Sequence, residues 1–157
     1  MDKFWGRDFP GKPLEMFSTL HIVTLCIIAA VNIALMVWLI LRKSDRLNRN
    51  FRYTLAVLLI FAELLYEAWS VLAGAWSADI YLPLQLCDLT LVLSAIFLIN
   101  KSRFIYEVTY FLGLGGSIQA LVTPDLTPYS FPHIMFFIFF FTHSAIITAV
   151  LYMTLVE

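Results

Sequence analysis

The sequence predicts an all-α protein, a polytopic bundle of transmembrane helices, and three observations carry that expectation. Hydrophobic residues make up 61% of the 157 and charged ones only 13%, with a mean hydropathy of +0.86. That is more apolar surface than one soluble core can hide. Five apolar runs approach the ~20 residues that cross a bilayer core: roughly 17–41, 54–76, 80–99, 104–122 and 132–155. Lipid offers the backbone no partners, so each run is expected as a helix. Finally, "RKSDRLNRNFR" (42–52) and "NKSR" (100–103) carry seven of the ten basic residues. Short Lys/Arg-rich loops stay cytoplasmic, which puts the N-terminus outside a cell membrane.

The N-terminal "MDKFWGRDFPGKPLEMF" alternates acids and bases around two prolines. It lacks the plan of a cleavable signal and reads as a short exposed arm. With no internal repeat or linker, residues 1–157 form a single domain. Net charge is −1, and no stretch interleaves aromatics with Arg or Lys, so membrane lipids are the expected partners and nucleic acid is not. Cys26 and Cys87 both lie in apolar segments, which argues against a disulfide framework. The connections "SADIY" and "TPDLTPYSFPH" hold no Lys or Arg. They fall on the outer side, where Trp5, Trp76, Tyr81 and Tyr129 sit at the level of an aromatic belt.

An ionisable residue inside a membrane is a functional hypothesis by default, because inserting one at the centre costs about 2.5–3.5 kcal/mol. The first run carries His21 near its outer boundary and Asn32 deeper. The second carries Glu63, Tyr66, Glu67 and Ser70 within about 100° of helical arc, a stripe that belongs inside a bundle. In the third, Pro83 suits a first turn. Pro83, Cys87, Thr90 and Ser94 then share one face, and Gln85 and Asp88 another. The fourth offers the small-residue face Thr109, Gly113, Gly116, Ser117 and Ala120 for close packing, while Gln119 and Asp125 point elsewhere. The fifth places His143 near mid-depth, with His133 solvated at the interface.

Counted from the outer ends, His21, Glu67, Cys87, Gln119 and His143 all keep to the outer half, where they can share one cavity. A buried thiol needs a base to become a nucleophile. His143 is the natural one, although helical rise sets it ~7 Å deeper than Cys87. Asp88, Glu63 or Glu67 can orient the imidazole, and Gln85 or Gln119 can donate to an oxyanion. The chemistry expected of such a pair is acyl transfer from a lipid ester through an acyl-thioester. The competing reading is a transport or binding module for a small solute or a proton-coupled substrate, lined by Glu63, Glu67, Asp88 and His143. The sequence has no CxxC, HExxH or close His pair, so neither metal nor cofactor is expected.

Four ordered pieces, "FSTLH", "LPLQLCDLT", "GLGGSIQALVTPDL" and "FFFTHS", make the chain resemble the YwaF-type bacterial integral membrane proteins. These are similar to eukaryotic transmembrane protein 164 and more distantly to the androgen-induced membrane hydrolases. The resemblance implies a glycerophospholipid acyltransferase or lipid hydrolase in which the cysteine role falls on Cys87 and the histidine role on His143. Members of that family usually continue for about two further spans past the position of Glu157. The chain is thus expected to be a C-terminally shortened form, with surface on which a second copy can pair as a homo-oligomer.

Overall fold

A computed structural model describes residues 3–82 and 84–157, without the side chain of Ile80. Among the described residues the chain is all helix, with no strand. In order the helices are α1 (Thr19–Arg42), α2 (Asp45–Leu72), the single turn α3 (Ala78–Tyr81), α4 (Leu86–Asn100), α5 (Arg103–Val122) and α6 (Ile134–Leu155). Serine opens three of the long ones, where its hydroxyl accepts an otherwise orphaned backbone N–H. Ser18 takes that of His21, Ser44 that of Leu47 and Ser102 that of Ile105. Lys43 and Lys101, both in the left-handed region, turn the chain out of α1 and α4.

Two expected boundaries change. The basic segment 42–52, expected as a loop, is mostly the first two turns of α2, and only Lys43 and Ser44 separate it from α1. Leu47 and Phe51 explain the extension, because both pack on the main core cluster. At 28 residues, α2 is ~42 Å long, enough to cross a bilayer and carry its arginines beyond it. The third expected run is broken. Its start forms α3, and helix resumes only at Leu86 with Gln85 as N-cap. The expected place of Pro83 in a first turn lies outside the described residues. The resulting α4 has 15 residues, or ~22 Å, short of a ~30 Å hydrocarbon core.

Helices α1, α2 and α6 are long and apolar enough to cross a membrane. Helix α5 has the length, but Arg103, Glu107, three glycines and Gln119 dilute its hydropathy. The bundle proper is α2, α4, α5 and α6, each packed on its neighbours, while α1 rides on α6. Leu39, Leu59, Leu91, Phe97, Ile146 and Tyr152 fill its centre. Most of α1 is uncovered, with Ile22, Ile27, Val31, Ile33 and Leu41 exposed. That surface suits lipid and is unsuited to water. A clasp joins α1 to the bundle at mid-length: Asn32 Nδ2 donates to Ser144 Oγ (3.1 Å), and Thr148 Oγ1 donates to Asn32 Oδ1 (2.6 Å).

The N-terminal arm is stitched to the end of the bundle, despite its exposed side chains. Trp69 Nε1 donates to the Trp5 carbonyl (2.9 Å), Tyr129 Oη to that of Arg7 (3.1 Å), and Ile134 N to that of Phe4 (2.8 Å). His133 is fully buried there, contrary to the solvated position expected of it. Its Nδ1 accepts from Met135 N, its Nε2 faces the Gly6 carbonyl at 3.0 Å, and its ring stacks on Tyr129 at 4.3 Å. At the opposite end Glu157 gathers Lys101, Arg52 and Tyr152 around one carboxylate.

Candidate active site

Cys87, the second residue of α4, is half-buried. It lines a small pocket between α4 and α5 with Leu86, Thr90, Leu112, Gly116 and Ser117. One turn below, Gly113 of α5 is the closest point of three helices: a Cβ there would lie 2.9 Å from Thr90 Cγ2 and 3.1 Å from Ile146 Cγ2. The methyl groups of the neighbouring helices occupy the space a side chain would need, so glycine is the residue that fits.

That junction fixes the register. Lys101, the C-cap of α4, pairs with Glu157, two residues past the end of α6 and 56 residues on, and Thr90 shares the Gly113 junction with Ile146 at the same offset. Helices α4 and α6 therefore run parallel in constant register, and the same offset takes Cys87 to His143. Each stands three residues, ~4.5 Å, above its junction residue. On that offset the expected ~7 Å difference in depth shrinks, although His143 does not line the Cys87 pocket. It arose from counting α4 from residue 80, whereas the helix starts at Leu86 and sits lower in the bundle. Helix α5 runs the other way. Phe97 meets Tyr106 (ring centroids 5.9 Å) and Thr90 meets Gly113, so the residues level with Cys87 are Gly116 and its neighbour Ser117.

His143 is 6% exposed. Its Nδ1 lies 2.8 Å from the Phe139 carbonyl one turn earlier on α6. A carbonyl can only accept, so in the neutral ring Nδ1 carries the proton and Nε2 the lone pair. Among the described residues the buried Nε2 has no partner. Phe139, with its ring 4.3 Å from the imidazole, packs against it. A buried imidazole held by one nitrogen, with the other lone pair unengaged, has the form of a general base.

The remaining expected site residues divide into separate groups, and the single shared cavity is corrected accordingly. His21 is fully buried, but as a clasp: Phe17 N donates to Nδ1 (3.0 Å), and Nε2–H donates to the Leu121 carbonyl (2.8 Å), tying α1 to α5. Gln85 and Asp88 form a capping box at the start of α4, with Asp88 Oδ2 accepting from Gln85 N at 3.3 Å. This is the reciprocal satisfaction of helix-end donors that such pairs supply, and it engages the Gln85 side-chain oxygen. Gln119 and Asp125 are exposed, and neither lines the Cys87 pocket.

Glu63 and Glu67 form a third group on α2. Glu67 Oε2 accepts from Trp76 Nε1 (3.1 Å), while Oε1 of each glutamate is buried without a partner. Asp88 and Glu67 are close enough to act electrostatically on Glu63. Among the described residues neither glutamate is bonded to His143, whose Nδ1 is held by the Phe139 carbonyl, so an orienting role passes from the carboxylates to that backbone oxygen. Among the described residues no three His, Cys, Asp or Glu side chains come together as metal ligands. Ser117, assigned to helix packing by its small-residue spacing, is the residue that sequence reasoning missed. Its only signal is tertiary, the register that sets it beside Cys87.

No curated protein and no solved structure matches this chain. A family model does, over residues 16–157, and that stretch holds α1 through α6 with every residue of the Cys87 and His143 layer: the chain belongs to the TMEM164 family of membrane proteins.

Proposed function

We propose that this protein acts on acyl esters of membrane lipids, as an acyltransferase or ester hydrolase that works through an acyl-thioester on Cys87. What supports the reading is the 56-residue offset that relates Thr90 to Ile146 and would relate Cys87 to His143, together with the unengaged Nε2 lone pair of His143. His143 Nε2 takes the thiol proton, and the sulfur attacks the ester carbonyl. The tetrahedral adduct collapses with cleavage of the C–O bond. The leaving alkoxide takes the proton back from Nε2, and an acyl-thioester remains. A lipid hydroxyl or water then attacks the thioester while Nε2 accepts its proton, and the returning thiolate recovers that proton. Which nucleophile arrives decides between transferase and hydrolase.

In this reading the five long helices all lie within the cell membrane, α4 and α5 held by their longer neighbours, and the chain is a multi-pass protein. The arm end faces outward because the arginine-rich start of α2, with Lys101 and Arg103, marks the cytoplasmic side. The uncovered flank of α1 contacts lipid or a second copy. An electrophilic lipid-ester analogue tests the chemistry. It should label Cys87, and labelling should be lost in His143→Ala; labelling that ignores His143 would refute the pairing.

A second reading has its own observation, the partnerless buried oxygens of Glu63 and Glu67 beside Asp88. A route for a small cationic or proton-coupled solute along α2 would use them. Uptake into vesicles that survives Cys87→Ala but not Glu67→Gln is its signature.

A further inference from the structure

Away from the Cys87 pocket, α2 and the end of α4 enclose a groove of about 330 Å³, lined by Ala56, Val57, Ile60, Phe61, Leu64 and Ile99. That volume is in the range of a ligand site. Ala56 is its buried floor, whereas Val57, Phe61, Leu64 and Ile99 are each more than half exposed along its walls. All six side chains are apolar, so the groove accepts hydrocarbon. Helix α1 packs on α6 and leaves this flank of α2 open.

Toward the basic end the same helical face changes character. At 100° per residue, Arg46, Arg49 and Tyr53 fall within the arc of about 140° that the α2 lining residues span. A hydrocarbon core of ~30 Å reaches from Leu72 back ~20 residues to Tyr53. Tyr53 then stands at the interface, a level that suits tyrosine, with Arg49 ~6 Å and Arg46 ~10 Å further out. Arg52 fixes the mouth of the groove: its Nη1 donates to the Leu98 carbonyl (2.8 Å), joining α2 to α4 beside Ile99, and its guanidinium carbon lies 5.6 Å from the centroid of the Tyr53 ring. Charge here is unbalanced. Among the described residues Arg52 and Lys101 share Glu157 and Arg103 pairs with Glu107, while Arg46 and Arg49 are exposed without an ion pair. Asp45 is the one acid among residues 42–52, against five bases.

We propose that this face of α2 binds an anionic glycerophospholipid from the leaflet at the basic end, with an acyl chain in the groove and the phosphate held by Arg46, Arg49 and the Tyr53 hydroxyl. The tail alone selects nothing, since any acyl chain suits an apolar wall. The two guanidiniums supply the choice. Each is planar and weakly hydrated and can offer paired N–H donors to phosphate oxygens. A zwitterionic headgroup would bring its own cation against them, and an anionic one does not. The site is independent of the Cys87 chemistry, whose pocket lies between α4 and α5.

The test uses the full chain in a neutral detergent and phosphatidylglycerol with a photoactivatable acyl chain. After irradiation the label should fall within residues 56–64, and unlabelled phosphatidylglycerol should compete it away about tenfold better than phosphatidylcholine with the same chains. Arg46→Gln with Arg49→Gln should weaken labelling on the order of 25-fold, about fivefold for each arginine, at the parent thermal midpoint, because both side chains are exposed. Removing the same charge at Arg42 and Lys43, the end of α1 and its cap, should cost no more than about threefold. Val57→Trp fills the groove with both arginines in place and should abolish labelling of 56–64 by itself. Label spread evenly over the flanks of α1 and α2, equal competition by the two lipids, or equal loss from the two pairs of charge variants would overturn the site, since bulk lipid or general charge would then account for it. Displacement of the lipid by inorganic phosphate alone would reduce it to an ion site and overturn it as well.

Discussion

Adding one methyl group at Gly113 tests the junction on which the register depends. In Gly113→Ala the new Cβ meets Thr90 Cγ2 at 2.9 Å, Ile146 Cγ2 at 3.1 Å and Thr109 Cγ2 at 3.3 Å. Ordinary contact begins near 3.4 Å, so α4 must withdraw from α5 by about 0.5 Å and α6 by about 0.3 Å. None of the three methyls is the end of a long flexible chain, and threonine and isoleucine are stiff at χ1. Overpacking of this kind costs about 1–3 kcal/mol, against about 0.8–1 kcal/mol gained by replacing a helical glycine with alanine. A net loss of about 1 kcal/mol, or a drop of about 2–4 °C in thermal midpoint, follows. Reactivity should suffer more, because Cys87 and His143 stand one turn above the wedge and small displacements of reacting groups cost up to 100-fold. Gly116→Ala is the control: a Cβ there meets nothing within 4 Å, so stability should rise by up to about 1 kcal/mol. Thermal unfolding in detergent together with lipid-probe labelling of Cys87 reads both quantities. A Gly113→Ala protein as stable and as reactive as the parent would refute the junction and the register built on it.

Three further outcomes are expected. His21→Ala removes two buried hydrogen bonds and leaves a cavity between α1 and α5, so thermal unfolding should show a loss of about 2–4 kcal/mol, with labelling of Cys87 retained in the folded fraction. Asn32→Leu breaks the clasp between α1 and α6 and should cost about 0.6–1.7 kcal/mol, the range of hydrogen bonds between membrane helices; an unchanged midpoint would count against the clasp. At the basic end, burial acts to raise the Glu157 carboxyl, but hydrogen bonds from Lys101 and Tyr152 and the charges of Lys101 and Arg52 hold it below its ordinary 4.5. A depressed folded value means that its stabilisation is complete above about pH 4.5 and fades as the pH falls through the lower folded value. Glu157→Gln should therefore lower stability at pH 7, by no more than about 1 kcal/mol, and the difference should shrink as the pH falls below 4.5.

The membrane character and the positions of three of the five long helices were legible in the sequence, because apolar runs of bilayer length leave the chain few alternatives. The start of α2 was not. Arginines and asparagines read as loop until Leu47 and Phe51 are seen packed on the core. The split between α3 and α4 was equally hidden, since residues 78–100 carry apolar side chains on both sides of the break. Of the site, the chemical identity of Cys87 and His143 could be read from residue type. Relative depth could not, because depth counted from the wrong helix start carries its error into every residue below it. Polar residues at helix ends look alike in a sequence whether their task is local or functional. Helix ends need polar partners, and His21, Gln85 and Asp88 meet that local need, which composition alone cannot distinguish from a site.

The central claim, a nucleophilic sulfur served by the His143 imidazole, is tested most directly by mass spectrometry of the protein after incubation with phospholipid vesicles. The account predicts an acyl group on Cys87 that hydroxylamine releases and that is absent from His143→Ala. Acylation of equal extent in both proteins, or acyl groups found only on residues other than Cys87, would contradict it.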